Sequence, residues 1–322
     1  MYVLGSRALS ILGNFLICNR IQKVFLPANC CPVVYALLGS LDIKIQALDL
    51  TPSLRNLNMR PLKNFLAKNS NEVTALLLAH TYGALSEVND SNAQELRAAG
   101  LSFIIDDRCL CIPKFENFWA DLTLFSFGYS KFIQLNQCGA IAFVKKPSTY
   151  KRLTWGYNAK SYEAVDQALR SYHNPYTVGK NIGNLSWISN EEENLTLSIE
   201  WILKNIPILV EQTLEKKLIL NTIYRGELGS ESGIGILDDT FNFWRFNILI
   251  NDSTVVLKKI FNAGLFASNH YRTYDKSCQN SADLSKNVVN LFNGRTQSKE
   301  FCLSCCDIIL KGIKGEKASK VI

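Results

Sequence analysis

The chain is 322 residues long, 47% apolar and 20% charged, a balance that excludes a disordered chain and leaves room for two domains, or one large α/β domain with an appendage. Lysine and arginine total 35 against 28 acidic residues, a net charge of +7, which suits anionic ligands. The basic residues are scattered in short clusters such as Lys145-Lys146 and Lys216-Lys217, with no arginine-rich run, which argues against nucleic acid as a partner.

The opening stretch, MYVLGSRALSILGNFLICNR, is apolar, but Arg7 interrupts it and no small-residue cleavage site follows. No run reaches the roughly 18 to 20 residues needed to span a bilayer, so the reading is of a cytoplasmic protein without a membrane span. From there short apolar runs alternate with helical stretches. KVFLP (23–27) reads as a buried strand and VVYALLGSL (33–41) as a helix. IKIQALDL (43–50) reads as a strand ending in Asp49, and TALLLAHTYG (74–83) as one ending in His80. SNAQELRAAG (91–100) is a helix with a glycine stop. LSFIIDD (101–107) is a strand ending in two aspartates, LTLFSF (122–127) one ending at Ser126, and GAIAFV (139–144) another. Continuous apolar strands separated by helices indicate an α/β fold, a mostly parallel sheet sandwiched by helices, with ligands outside the carboxyl ends of the strands. Residues 160–225 read as helices with an irregular polar stretch at 174–194, and GELGSESGIGILDD (226–239) as a glycine-rich loop. The remainder suggests a smaller C-terminal α+β domain. The expected division is a large domain over 1–210 and a small one over 211–322.

Ten cysteines fall in tight groups, CC at 30–31, CLC at 109–111 and CLSCC at 302–306. Adjacent cysteines pair poorly, and only Cys302 and Cys305 form a CxxC spacing, so reduced thiols and no metal site are expected. In that setting the sequons at Asn89, Asn184, Asn194 and Asn251 carry no weight.

One cation, Lys131, lies between the apolar runs of FSFGYSKFIQLNQCGAIAF. A lysine in a dry site has a lowered pKa and can condense with a carbonyl cofactor, pyridoxal phosphate (PLP) being the usual one. The cofactor's ring nitrogen needs a carboxylate, which a strand-end Asp107 supplies, and its phosphate needs a helix N-terminus and hydroxyls. GSRALSIL (5–12) offers a glycine and a serine at a helix start, and Ser126 a further hydroxyl five residues before the lysine. Taken singly, these are equally a helix cap, a loop aspartate and a snorkelling lysine; their order and spacing carry the reading.

In that order the segments resemble the DegT-type sugar aminotransferases, a PLP-dependent family of fold type I. GSRAL resembles the SGxxAL phosphate loop, LPANCCPVV the PxYxCPxV segment, AHTYG the HxYG segment, FIIDDRC the VIEDAAQ segment, FSFGYSK the SFxxxK segment, QCGAIAF the EGGAIVT segment and WGYNAKSYEA the GYNxR segment. The likeness covers residues 4–170, with a looser echo at RFNILI and VVNLFNG. It implies Lys131 and Asp107 as catalytic residues. Lys131 anchors the cofactor and moves the proton, and Asp107 keeps the pyridine nitrogen protonated. Gly5, Ser6, Arg7 and Ser126 hold the phosphate, joined by Asn158 from the partner chain of a homodimer. It further implies transfer of an amino group from an amino acid, glutamate, to a nucleotide-linked keto-sugar in cell-surface polysaccharide or amino-sugar biosynthesis.

The sequence departs from that pattern at several positions. Leu110 stands where the family has a glutamine, Asn29 or Cys31 where it has a stacking aromatic, Lys160 where it has arginine, and Gln137-Cys138-Gly139 where it has EGG. The family's N-terminal arm has no counterpart. The alternative is therefore a degenerate homologue acting as a dimeric binding or regulatory partner. His80 either lines the site or fixes the strand end. Asn269, His270 and Tyr271 either reach the substrate or form a polar surface loop.

Overall fold

The computed structural model describes residues 1–68, 71–135, 138–171, 174–189 and 195–319. Gln137 and Asn194, both singled out above, lie outside the described residues.

The first strand, β1 (Tyr2–Gly5), leads into helix α1 (Ala8–Cys18). The expected strands and helices follow in turn, joined by one helix not anticipated, α3: β2 (Lys23–Pro27), α2 (Pro32–Ser40), β3 (Lys44–Leu48), α3 (Arg60–Leu66), β4 (Thr74–Ala79), α4 (Asp90–Ala98), β5 (Phe103–Asp107), β6 (Leu122–Ser126) and β7 (Ala140–Val144). They build a seven-stranded sheet in the order β1-β7-β6-β5-β4-β2-β3. β3, β2, β4, β5 and β6 run parallel, while β7 is antiparallel to both β6 and β1. The sheet is the mostly parallel one expected. β1 itself was not anticipated: it is only four residues long, and pairing of Tyr2–Gly5 with Ala140–Phe143 is what makes it a strand.

The central strands are apolar on both faces because both faces are covered. Val24, Leu26, Ala75, Leu77 and Ile105 pack with Ile11, Phe15, Val34 and Leu37 of α1 and α2. Phe25, Leu76, Leu78 and Ile104 pack with Leu62, Leu66, Ala93 and Leu96 of α3 and α4. Helix α4 ends at the expected glycine stop, with Gly100 at φ +104° just past its end, and it starts with a reciprocal capping box between Asn89 and Asn92.

The chain continues through α5 (Ala159–Arg170) and α6 (Pro175–Ile182) into α7 (Ile199–Leu228). The boundary between 210 and 211 falls inside this continuous 30-residue helix. Its Ile202 and Ile206 pack with Phe125, Phe127 and Ile141 of the large sheet. Its Leu220, Tyr224 and Leu228 belong to the core of the C-terminal unit. The glycine-rich stretch 226–239 is thus not all loop. It holds the last helical turn and strand β8 (Ile234–Ile236), because packing of Leu228 outweighs the weak helix propensity of Gly226.

β9 (Phe246–Ile250), α8 (Ser253–Asn262), β10 (Ala267–Ser268), α9 (Gln279–Asn287), β11 (Val288–Leu291) and α10 (Lys299–Ser319) complete the small α+β unit around an antiparallel sheet, β10-β11-β9-β8. Cys302, Cys305 and Cys306 sit one helical turn apart on α10 and are buried in this core, so CLSCC is an apolar stripe. All ten cysteines are free. No helix among the described residues is long and apolar enough to cross a membrane.

α2 and α6 cross with their backbones nearly touching. A Cβ on Gly179 would lie 1.9 Å from the Ala36 carbonyl oxygen, and one on Gly39 would lie 2.1 Å from that of Tyr176. Gly179→Ala must push the helices apart and is expected to lower the unfolding free energy by about 1–3 kcal/mol or more. Urea denaturation followed by circular dichroism measures this.

Candidate active site

The polar residues at the strand ends divide by the pleat, since successive side chains face opposite sides of a sheet. Asp106 faces the α3–α4 side and is buried. Its Oδ1 lies 2.6 Å from Nε2 of His80, and its Oδ2 accepts from Nε of Arg108 at 2.8 Å. The Ser86 amide donates to His80 Nδ1 at 2.9 Å, so the ring proton toward Asp106 sits on Nε2. Burial alone would raise the Asp106 pKa. The His80 hydrogen bond, with the attraction of His80 and Arg108, outweighs burial and holds it below 3.8. His80 therefore fixes a strand end through its ring, although it also borders the site. Asp49, at the end of β3, is structural too. It accepts from the backbone N–H groups of Asn280 and Ser281, capping α9 from across the molecule.

Asp107 faces the other side. Its register partners Ala79 and Leu124 share that face, and Ser126 lies on it two residues beyond Leu124. Asp107 Oδ1 accepts from the Cys109 N–H at 3.0 Å. Lys131 arrives from a tight turn in which Ser130 adopts φ +60°, a left-handed conformation unfavourable for serine. The indole Nε1 of Trp244 donates to the Ser130 carbonyl at 2.9 Å and holds that turn from the C-terminal unit.

Asp107, Ser126 and Lys131 border one cavity of about 440 Å³, together with Ser6, Arg7 and the first turn of α1, within the usual size of a ligand site. The N-terminal amides of α1 have no side-chain cap, and its first turn carries no acidic residue. Apart from the Ser10 amide, which donates to the Arg7 carbonyl at 3.1 Å, they can meet an anion. Gly139 is required beside them: a Cβ there would lie 1.7 Å from the Ser6 carbonyl oxygen. A narrower recess shares Cys31, Asp107, Cys109 and Lys131 and is closed by Asn29, Leu110 and Tyr271. In it Asn29 Oδ1 is buried without a hydrogen-bond partner among the described residues. Burial raises the Cys31 and Cys109 thiols, and Lys131 opposes this at both. They remain protonated, weakly polar walls.

Of the residues singled out in the sequence, Lys131, Asp107, Ser126, Ser6 and Arg7 meet at this cavity. Gly5 does not line it: it ends β1, and a Cβ there would meet Ile11 Cγ1 at 2.8 Å. The Ser6 hydroxyl donates to the Ser189 carbonyl at 2.8 Å, and the Arg7 guanidinium lies 5.2 Å from the Tyr162 ring centroid. Asn158 is exposed, outside the cavity, where it caps α5 by accepting from the Lys160 and Ser161 amides. Of the loop 269–271, His270 is exposed and Tyr271 forms a wall of the recess. Thr81 and Tyr82, also in that wall, were not singled out, although they adjoin His80 in the HTYG stretch.

No protein-family profile matches the sequence, and no curated protein matches it. Solved structures do. The aminotransferase TlmJ from Streptoalloteichus hindustanus superposes with a TM-score of 0.67 at 12% identity, over 98% of this chain and 86% of that one. DesI, solved in the presence of its TDP-sugar product, gives 0.69 at 15% identity, over 99% of this chain and 82% of the other. The chain has the fold of the DegT-type sugar aminotransferases. A Streptococcus pneumoniae protein described as a sugar aminotransferase, and solved in a PMP form, gives 0.67 at 12% identity over 98% of this chain and 88% of its own.

The two adjacent aspartates have separable roles. Asp106→Asn removes the partner of buried Arg108 and is expected to lower stability by about 3–5 kcal/mol. Asp107→Asn keeps an acceptor for the Cys109 N–H and is expected to change it by less than about 1 kcal/mol. Because Asp106 is held below 3.8, its contribution is present above that pH and is lost as the pH falls further. The difference between wild type and Asp106→Asn in urea unfolding should shrink on acidification.

Proposed function

We propose that this protein is a pyridoxal-phosphate-dependent aminotransferase that moves an amino group from an amino acid to a keto-sugar, with a nucleotide-linked sugar as the acceptor class. The observation that carries this reading is the meeting of Lys131 and Asp107 at a cavity that the uncapped start of α1 also lines. The shared fold with sugar aminotransferases supports it.

The residues present fit the cofactor. A carboxylate and an amine share the cavity with an anion-binding helix start, Gly139 makes room for the Ser6 loop, and Asn29 offers an unsatisfied acceptor in the adjoining recess. When bound, pyridoxal phosphate supplies a carbonyl that condenses with amines and a ring that withdraws electrons from the substrate carbon. Asp107 pairs with the protonated ring nitrogen. The α1 amides, Ser6, Arg7 and Ser126 bind the phosphate. Lys131 would supply the amine that anchors the cofactor and would move the proton at the substrate carbon. Asn158, exposed at the start of α5, reaches the phosphate of a second copy in a homodimer. Gly5 sets the close approach of β1 to α1. Leu110 presents an alkyl wall where a hydrogen-bonding side chain would touch the ring hydroxyl, so ring position rests more heavily on Asp107 and the phosphate end.

The absorbance spectrum of the purified protein with added pyridoxal phosphate tests this. A visible band that bleaches with glutamate and is missing in a folded Lys131→Ala variant is expected. A well-folded wild-type protein that shows no band overturns the proposal.

A further inference from the structure

A second cavity, of about 320 Å³, lies on the other side of Lys131, between the turn that carries it and the C-terminal unit. It is lined by Lys217 of α7, Arg245 just before β9 and Arg295 after β11. Lys217 and Arg245 are 3% and 4% exposed. Among the described residues no carboxylate lines the cavity. Buried cations are ordinarily paired with an anion, but these two are held by neutral groups. Lys217 Nζ donates to the Trp244 carbonyl at 2.9 Å and to Asn293 Oδ1 at 2.8 Å. The Arg245 guanidinium lies over the rings of Trp244 and Phe292, at 4.3 and 3.9 Å, and donates to the Ser268 hydroxyl. The Thr213 hydroxyl, which also lines the cavity, is buried without a partner among the described residues.

Buried cations that face a cavity without an internal counter-ion are arranged as a site that receives an anion would need them. Burial, and then the Arg245 charge, lower the Lys217 pKa to about 7, and burial lowers that of Arg245 to about 10. An anion between them would reverse both shifts. Asn293, which orients Lys217, is itself fixed by donating to Asn221 Oδ1 at 2.8 Å and to the Asn242 carbonyl at 3.0 Å. Lys217 and Arg245 are therefore preorganised rather than mobile on the surface.

We propose that this cavity is an oxyanion site that grips the carboxylate or phosphate group of the substrate whose reacting end lies at Lys131. That the reacting end lies there rests on the function proposed above; anion binding by Lys217, Arg245, Arg295 and the Thr213 hydroxyl does not. A side-chain carboxylate would assign the cavity to the amino donor, and a diphosphate would assign it to the nucleotide-sugar acceptor.

Isothermal titration of the full chain, without added cofactor, with glutarate and separately with inorganic pyrophosphate tests this. Binding of glutarate or of pyrophosphate that depends on Arg295 and Arg245 is expected and names the source; pyrophosphate held at the uncapped start of α1 would not depend on them. Arg295→Ala, at an exposed position, and Arg245→Met are each expected to weaken it at least about tenfold, with circular dichroism confirming the fold. If neither anion binds, or if Arg295→Ala and a folded Arg245→Met bind as wild type does, the inference is overturned. The visible band of the cofactor reads Lys131 independently. A protein that gains the band but ignores both anions loses this inference alone, and one that binds an anion without gaining the band loses only the proposed reaction.

Discussion

Adjacent residues of a strand point to opposite faces, and in β5 that constraint divides the work of two carboxylates. Asp106 is locked beneath the sheet by His80 and Arg108, and Asp107 is delivered to the cavity above it. The locked pair fixes the end of β5 against β4. The delivered one then has a defined position relative to Ser126 and Lys131, which arrive from β6 and the turn after it. A register slip of one residue would exchange the two roles and leave an unsatisfied arginine in the core. Much of the site's geometry follows from the phase of this one strand.

The second organising feature is the use of the C-terminal unit as the far wall of the site. Trp244 supports the turn before Lys131, Tyr271 closes the recess, and Arg245 and Lys217 line the second cavity. The strand-end aspartate Asp49 caps α9 and ties the two units together at the other edge. The cations here are thus held in place by backbone carbonyls, amides and aromatic faces rather than by acids. The overall charge of +7 takes on local meaning where those cations face a cavity.

The central strands were legible because both faces are buried and their apolar runs are continuous. Asp107 and Ser126 were legible because they stand at strand ends, and Lys131 because it follows Ser126 at a telling spacing. Other features depend on information that local sequence lacks. β1 exists only through pairing with β7, and the last turn of α7 only through the packing of Leu228. Which of two adjacent aspartates meets the cavity depends on the phase of the pleat. Lys217, Arg245 and Arg295 come from three separate elements, and Lys217 reads in sequence as half of an ordinary basic doublet. Only the tertiary fold shows that it is 3% exposed.

α7 belongs to both cores, with Ile202 and Ile206 in one and Tyr224 and Leu228 in the other. At 30 residues it runs about 45 Å at 1.5 Å per residue. It is a helical beam rather than a slack tether, with Pro207, just past Ile206, weakening its hydrogen-bond ladder near the large sheet. The two units cannot swing apart on a slack connection, because separating them would require bending or unwinding this helix. Lys217 lies between its two anchored ends, so any tilt of the beam moves a charge against the wall of the cavity beside Lys131. The same element that sets the spacing of the two units therefore also aims one of their cations.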